Sequence, residues 1–548
     1  MISVFVSKIA GLILKIPLAN LLGGTGMGYY SSAYAVFMPL YALCAASLPP
    51  AIAQMVSEDL AFERWDRINR TKRTALVFFG AISLLLTLIP LLFSRFIAER
   101  IIGNPEAAMS VSAIAPCVFF GTVTAVYRGY YEGLRSMTPT AVSQMVDSTV
   151  KLITGLGLAY LTKEYAMAMY SSGQQVFGRF CVNEYEAIGC ALPYISAAAV
   201  LGTALSDLAG MAYLVLRKRD PKDCAVRRSD TDLGEQKKTL TRLIKLISPI
   251  ALASLVSSLI NTIDLSTIIL ILKNSLRKHP ELYVQKYSAI ISGGVELKEL
   301  PNFLYGSFTG LSMAIFTLAP SLCSVFGKSA FPKIAELKAK GDSSGVSHEI
   351  KRAVLMSAYI SIPAGFGLAI FSEPILKLLF SSRYAEISVS HLPLSVLSLG
   401  TAFLAVSACA YSMLQAIGCA KLPVKITLVG AILKLILNSV FIPMKQSGLT
   451  GAALATVISY AVMCIWSIAS LYRLTGTAAK PVWSTVVPCL TSAVSCIGAY
   501  SVYNYLQTRL SSLLSIGISV LFAVIVYILT VILLDICNKN KITSQIFE

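Results

Sequence analysis

Apolar runs of about twenty residues recur along the whole chain, and a run of that length as a helix crosses the roughly 30 Å hydrocarbon layer of a membrane. In lipid every backbone polar group must be satisfied internally, so only helices or closed barrels qualify, and a barrel would show short alternating strands instead. Among 548 residues 55% are hydrophobic and 14% charged, against about 25% charged in a soluble domain. The expected fold is therefore all-α, a polytopic membrane protein. Spans are read at residues 3–21, 29–56, 74–93, 109–127, 139–161, 188–216, 243–272, 306–326, 353–371, 392–416, 426–443, 450–471, 484–505 and 512–534, fourteen in all. The first is expected to be retained rather than cleaved as a signal peptide. Lys8 and Lys15 interrupt its apolar stretch, no A-x-A site follows before Gly23, and a glycine-rich turn is expected to end the helix.

The formal charge of +18 sorts by side. With the N-terminus inside, the connections after even-numbered spans hold the bulk of the Lys and Arg. One carries Arg64, Arg67, Arg70, Lys72 and Arg73; another runs from Arg217 to Arg242; a third spans Lys328 to Arg352. The positive-inside rule then places both termini in the cytoplasm. Most of the charge serves orientation, contact with anionic membrane lipid is secondary, and nucleic acid is not an expected partner.

An internal repeat sets the expected architecture. PAIAQMVSEDL begins at Pro50 and PKIAELKAKGD at Pro332, each followed by a basic pair, Lys72-Arg73 and Lys351-Arg352. Gly133 and Pro139 precede VKLI from Val150, and Gly418 and Pro423 precede LKLI from Leu433. The order is the same and the offset stays near 280 residues. Two pseudo-symmetric six-helix lobes follow, at residues 1–216 and 243–472, joined by a basic linker at 217–242. Residues 473–548 add two helices and a short tail. Because six is even, the repeat is parallel, and such halves commonly hold their substrate between them.

No motif for nucleotide binding or zinc hydrolysis is present: no P-loop and no H-E-x-x-H. The expectation is a transporter rather than an enzyme, with no catalytic residues, no cofactor and no metal site. Its twelve cysteines contain no C-x-x-C pair. Cys181 and Cys190, in an outer segment, either pair as a disulfide or stay free.

Charges inside spans are expensive and mark candidate sites. Lys8 and Lys15, seven residues apart, share one helix face. Lys8 admits two readings, a cavity cation or a snorkelling side chain; Lys15 sits too deep for the second. Asp147 and Lys151 are four apart and are expected to neutralise each other on their own helix. Lys151 and Lys434 occupy equivalent repeat positions. Asp264, with Asn261 one turn before it, is the expected cation or proton site or a partner for Lys15. Asp207 follows Ser206 in a small-residue helix and is read as close packing. Arg128 stands at a cytoplasmic edge. Pro17, Pro49, Pro50, Pro90, Pro249, Pro320 and Pro363 are read as bends.

The stretches SKIAGLILKIPLANLLGGTGMGYYSSAYAVF, SLPPAIAQMVSE and YRGYYEGLRSMTPTAVSQMVD resemble the stage V sporulation protein B group of polysaccharide exporters. That group belongs to the multidrug/oligosaccharidyl-lipid/polysaccharide (MOP) superfamily and is similar to MurJ-type lipid II flippases. The resemblance implies a two-lobed, V-shaped transporter that moves an undecaprenyl-pyrophosphate-linked sugar from the inner to the outer leaflet by alternating access. It also implies cell-wall synthesis enzymes as partners. In that family, basic residues of the first helix are associated with the central cavity, a pattern that Lys8 and Lys15 match. Asn20 stands where relatives commonly carry a further basic residue. A pyrophosphate needs sheltered cations, and Lys8, Lys15, Lys151 and Lys434 are the expected set. Membrane potential, Na+ and H+ are all open as the driving force. A cation-coupled multidrug exporter of the same superfamily is the alternative, and it would want an acidic cavity.

Overall fold

The structure, a computed structural model, describes residues 2–217, 233–419, 421–444, 448–476 and 481–537. Apart from one two-stranded antiparallel hairpin, Gln175–Val176 with Arg179–Phe180, its regular elements are helices. Among the described residues ten helices are long and apolar enough to cross a membrane, or up to twelve if each of two bent pairs is one span. These coincide with twelve of the fourteen runs read from sequence. Of the other two, 3–21 lies within the helix Ile2–Tyr41 and 139–161 within Thr138–Gly173. The latter carries Asp147, Lys151, Lys163 and Glu164, and falls outside the apolar class. The chain is thus a multi-pass, all-helical membrane protein.

It divides into two compact units, Met1–Leu270 with Tyr287–Gly306, and Ile271–Lys286 with Ser307–Glu548. In the first unit the glycine-rich stretch does not end the opening helix as a turn. Helix resumes directly after Gly23, the one residue within it with non-helical torsions (φ 62°, ψ −173°), a region essentially reserved for glycine. The other glycines there allow close approach. A Cβ at Gly28 would stand 2.4 Å from Asn302 Oδ1, and Asn302 Nδ2 donates to the Thr25 carbonyl at 3.0 Å. Glu299, on the same returning segment, accepts from Tyr29 Oη and Asn104 Nδ2, both at 3.1 Å.

Helices Thr138–Gly173 and Glu184–Leu216 touch backbone to backbone. A Cβ on Gly202 would lie 2.4 Å from Gly155 Cα, and one on Gly210 only 1.7 Å from Asp147 Oδ1. This is the close approach expected for the small-residue helix that bears Asp207. The unit's apolar core is formed by Leu48, Ile52, Val56, Ile68, Phe79, Val126, Tyr130, Leu243 and Ile247. Residues 218–232 of the expected linker lie outside the described residues. From Leu233 the chain is helical to Lys278, and its first turns are held by the ion pairs Arg70–Glu235 and Arg242–Glu58.

The second unit packs Ile334, Ile350, Ile362, Met413, Leu414 and Ile426 in its core. Its sharpest breaks follow chemistry only partly seen in advance. Leu300–Phe316 and Leu318–Lys338 meet at 44°, where Pro320 cannot donate to the carbonyl of Phe316. Tyr384–Leu399 and Thr401–Ala416 meet at 48° around Gly400. A Cβ at Gly400 would lie 3.1 Å from both Leu397 O and Val457 Cγ2. Pro49 and Pro50 open the helix Leu48–Ala61 rather than bend one. The last apolar helix, Ser512–Leu534, is only 11% buried over its most apolar stretch, as a lipid-facing helix should be.

The repeat landmarks fall at turns of one kind in both units. Leu48–Ala61 is followed by Glu63 (φ 54°) and a 28-residue helix; Leu318–Ala339 is followed by Gly341 (φ 74°) and another of 28 residues. Further on, Arg135 (φ 58°) and Gly418 (φ 82°) precede the helices bearing Lys151 and Lys434.

Candidate functional site

In the first unit the polar side chains gather where three helices meet. Arg128, on Pro116–Gly133, pairs with Asp147 and donates from Nε to Ser143 Oγ at 2.9 Å. The other carboxylate oxygen of Asp147 is pressed against Gly210. The expected intrahelical pairing of Asp147 with Lys151 is therefore not what forms. Arg128 pairs with Asp147 Oδ2 from a neighbouring helix, with a guanidinium that makes directed bonds to two acceptors at once.

Lys151 points elsewhere. Its ammonium donates to Tyr34 Oη at 2.7 Å and stands 4.9 Å from that ring's centroid. Among the described residues it makes no ion pair. Tyr34 Oη lies 2.7 Å from Thr203 Oγ1, and its ring lies 4.8 Å from that of Tyr30. Neither the neutral hydroxyl nor the π-face cancels the ammonium's charge, while Asp207 and Asp147 lie near enough to act on it electrostatically. Leu14 is buried and packs toward Gly155, one turn beyond Lys151. Lys15, next to Leu14, is half-buried, as is Asn20.

In the second unit Lys434 is 6% exposed, with its ammonium 6.0 Å from the Tyr460 ring centroid. Asn438, one turn on, is buried. Tyr460 stacks in turn on Phe316 at 6.3 Å between centroids. Burying an ammonium is costly without such partners. Both repeat-matched lysines thus sit against tyrosines. The tyrosines are not repeat-matched: Tyr34 belongs to the opening helix, Tyr460 to Gly448–Thr475. Neither tyrosine was singled out from the sequence, although Tyr30 and Tyr34 stand one turn apart in YYSSAY, an arrangement that puts both rings on one face. The side chains of Lys8, Asn261 and Asp264 lie outside the described residues.

The profile of the family described as "Polysaccharide biosynthesis protein" matches residues 1–182, and that of "Lipid II flippase MurJ" matches residues 303–545. Stage V sporulation protein B of Bacillus subtilis (strain 168) is 22% identical over 473 residues, 85% of this chain and 81% of that one. The chain is thus similar over most of its length to proteins of the MOP-superfamily flippase family. Lipid II flippase MurJ of the same organism, also a relative, is 22% identical over 508 residues, 89% of this chain and 84% of that one. A solved structure titled "Lipid II flippase MurJ, inward closed conformation" shares the fold, with a TM-score of 0.68 at 15% identity over 97% of this chain and 98% of that one. The protein is accordingly a membrane transporter similar to those proteins. The sequence match to each of the two B. subtilis proteins spans most of both chains, so both units, and not one fragment, carry the likeness.

Proposed function

We propose that this transporter flips a lipid-linked sugar with a pyrophosphate head, lipid II or a related cell-wall or polysaccharide precursor, from the cytoplasmic to the outer leaflet of a bacterial membrane by alternating access. Lys8, Lys15, Lys151 and Lys434 are the cations that serve the anionic head. The observation that carries this reading is Lys151, a cation anchored by Tyr34 while the nearby carboxylate of Asp147 is taken by Arg128. Charge-assisted bonds to phosphate oxygens in a sheltered site are strong, and a lysine so held can make them. The relative named lipid II flippase MurJ and the family described as polysaccharide biosynthesis protein support the same cargo class.

Moving two negative charges outward across an inside-negative potential is favourable by about 4.6 kcal/mol per 100 mV when no counter-charge travels with them. Voltage is then sufficient drive, and Asp264 with Asn261 is the place to look for a coupling ion. Proteoliposomes containing the wild type, Lys15→Ala or Lys151→Ala, loaded with lipid II or with a capsule-type lipid-linked sugar, test the proposal. Wild type should move one of these cargoes and the variants should lose at least about tenfold of that rate. Movement of neither, with expulsion of a cationic dye, would replace this reading with the multidrug exporter.

A further inference from the structure

The segment between Thr138–Gly173 and Glu184–Leu216 is an ordered clasp. Its hairpin puts Phe177 flat on Tyr194, with ring centroids 3.9 Å apart, and buries Val176 and Cys181. Arg179, at the hairpin's far end, pairs with Glu106 at 3.0 Å. The chain then folds back onto the start of the next helix. Val182 N donates to Glu186 Oε2 at 2.8 Å, and Glu186 N to the capping Asn183 Oδ1 at 2.8 Å. That fold-back lays residue 181 over the helix face that carries Glu186. One turn further along the same face is Cys190. Each thiol lies near enough to the other to act on it electrostatically, and Arg179 acts on Cys190 likewise. Burial pushes the Cys181 thiol up, with Cys190 beside it as the next cause. Cys190 is half-exposed. By contrast Cys44, Cys117, Cys323, Cys409, Cys464 and Cys496 are buried within helices.

We propose that Cys181 and Cys190 are the two halves of a disulfide that clips the hairpin segment to the helix beginning at Glu184. The clip rests on the orientation used for the proposed function, which puts this segment on the oxidising outer side. Cys190, the more accessible thiol, reacts first: its thiolate attacks a sulfur of an external disulfide oxidant, and one thiolate of the oxidant departs. Cys181, deprotonated, then attacks the Cys190 sulfur, forming the Cys181–Cys190 bond and releasing the oxidant's second sulfur as thiolate. Two thiol protons and two electrons leave the protein, and the oxidant ends as a dithiol. The bond would tie Phe177, Arg179 and their partners to the helix as one body.

The test uses the full-length protein in aerobically grown cells, with thiols blocked by N-ethylmaleimide before lysis. After purification and cleavage at Glu184 and Glu186, the peptides bearing Cys181 and Cys190 should be recovered joined and unlabelled, and should separate on reduction. Recovery of both cysteines carrying maleimide without reduction would overturn the proposal. Cys190→Ser should abolish the joined species and leave Cys181 to be labelled on denaturation; a joined species persisting in that variant would mean the wrong pairing. Orientation is read separately, by treating intact cells with an impermeant reductant and then an impermeant maleimide. Labelling of Cys190 is expected. A bonded pair that such reagents cannot reach would overturn the outward placement and leave the disulfide standing, whereas a free pair that they do reach would sink the disulfide and spare the orientation.

Discussion

Lys151 donates to the hydroxyl of Tyr34, 117 residues away in sequence, while the carboxylate one turn before it, Asp147, belongs to Arg128. Charge on this helix is thus sorted into one neutralised pair and one cation held by a neutral partner. Removing the ring and removing only the hydroxyl should therefore differ. Tyr34→Phe keeps the π-face and loses a hydrogen bond to a charged group, about 1.5 to 3 kcal/mol at most. Tyr34→Ala loses both. Thermal unfolding in detergent should rank wild type above Phe and Phe above Ala, and equal midpoints for the two variants would show that the ring does nothing for the ammonium.

The Arg128–Asp147 pair should behave as a unit. Its side chains are 16% and 21% exposed, so breaking it strands a largely buried charge at a cost of about 3 to 5 kcal/mol. Asp147→Asn and Arg128→Ala should each lower the unfolding midpoint, and the double variant should cost much less than their sum. Additive losses would count against a coupled pair.

Gly210 and Gly202 should resist the smallest possible addition. A methyl group at Gly210 would meet Asp147 Oδ1 and one at Gly202 would meet the Gly155 backbone; overpacking of this kind costs about 1 to 3 kcal/mol. Gly157 has nothing within 4 Å of an added Cβ, so Gly157→Ala should be neutral or stabilising through helix propensity. Unfolding midpoints of the three alanine variants decide the matter, with Gly157→Ala expected at or above wild type.

Asp342 provides a pH-dependent contribution at the start of the helix Ser343–Ile370. The Gly345 N–H, then the Ser344 hydroxyl, donate to its carboxylate at 2.9 Å and hold its pKa below the ordinary value. A depressed folded pKa means the cap stabilises fully above the unfolded value of about 3.9 and is lost as pH falls through the folded one. Amide exchange in the first turn of this helix should be equally protected at pH 7 and pH 5 once corrected for intrinsic rates, and should speed up in stronger acid. Asp342→Ala should show the unprotected pattern at every pH.

The twelve long apolar stretches were legible because membrane insertion writes its demands into composition. The partners of the buried charges were not. Whether Asp147 turns to Lys151 or to Arg128 depends on which neighbouring helix comes close, and that depends on glycine contacts such as Gly202 against Gly155. Spacing along one helix says nothing about this. Tyr34 and Tyr460 escaped for the same reason: an aromatic ring in an apolar run carries no mark that a lysine from another helix will lie upon it. The break at Gly23 was half visible, since the glycines announced a change of course but helix resumed at once.

Gly23 separates the stretch that carries Lys15 from the one that carries Tyr34, and both belong to a single helical run. A helix interrupted at one such residue transmits little stiffness across it. The position of one charge relative to the aromatic anchor of the other is then set by two torsions at a residue without a side chain, together with the packing of Leu14, Leu18 and Leu22 on the arm before it.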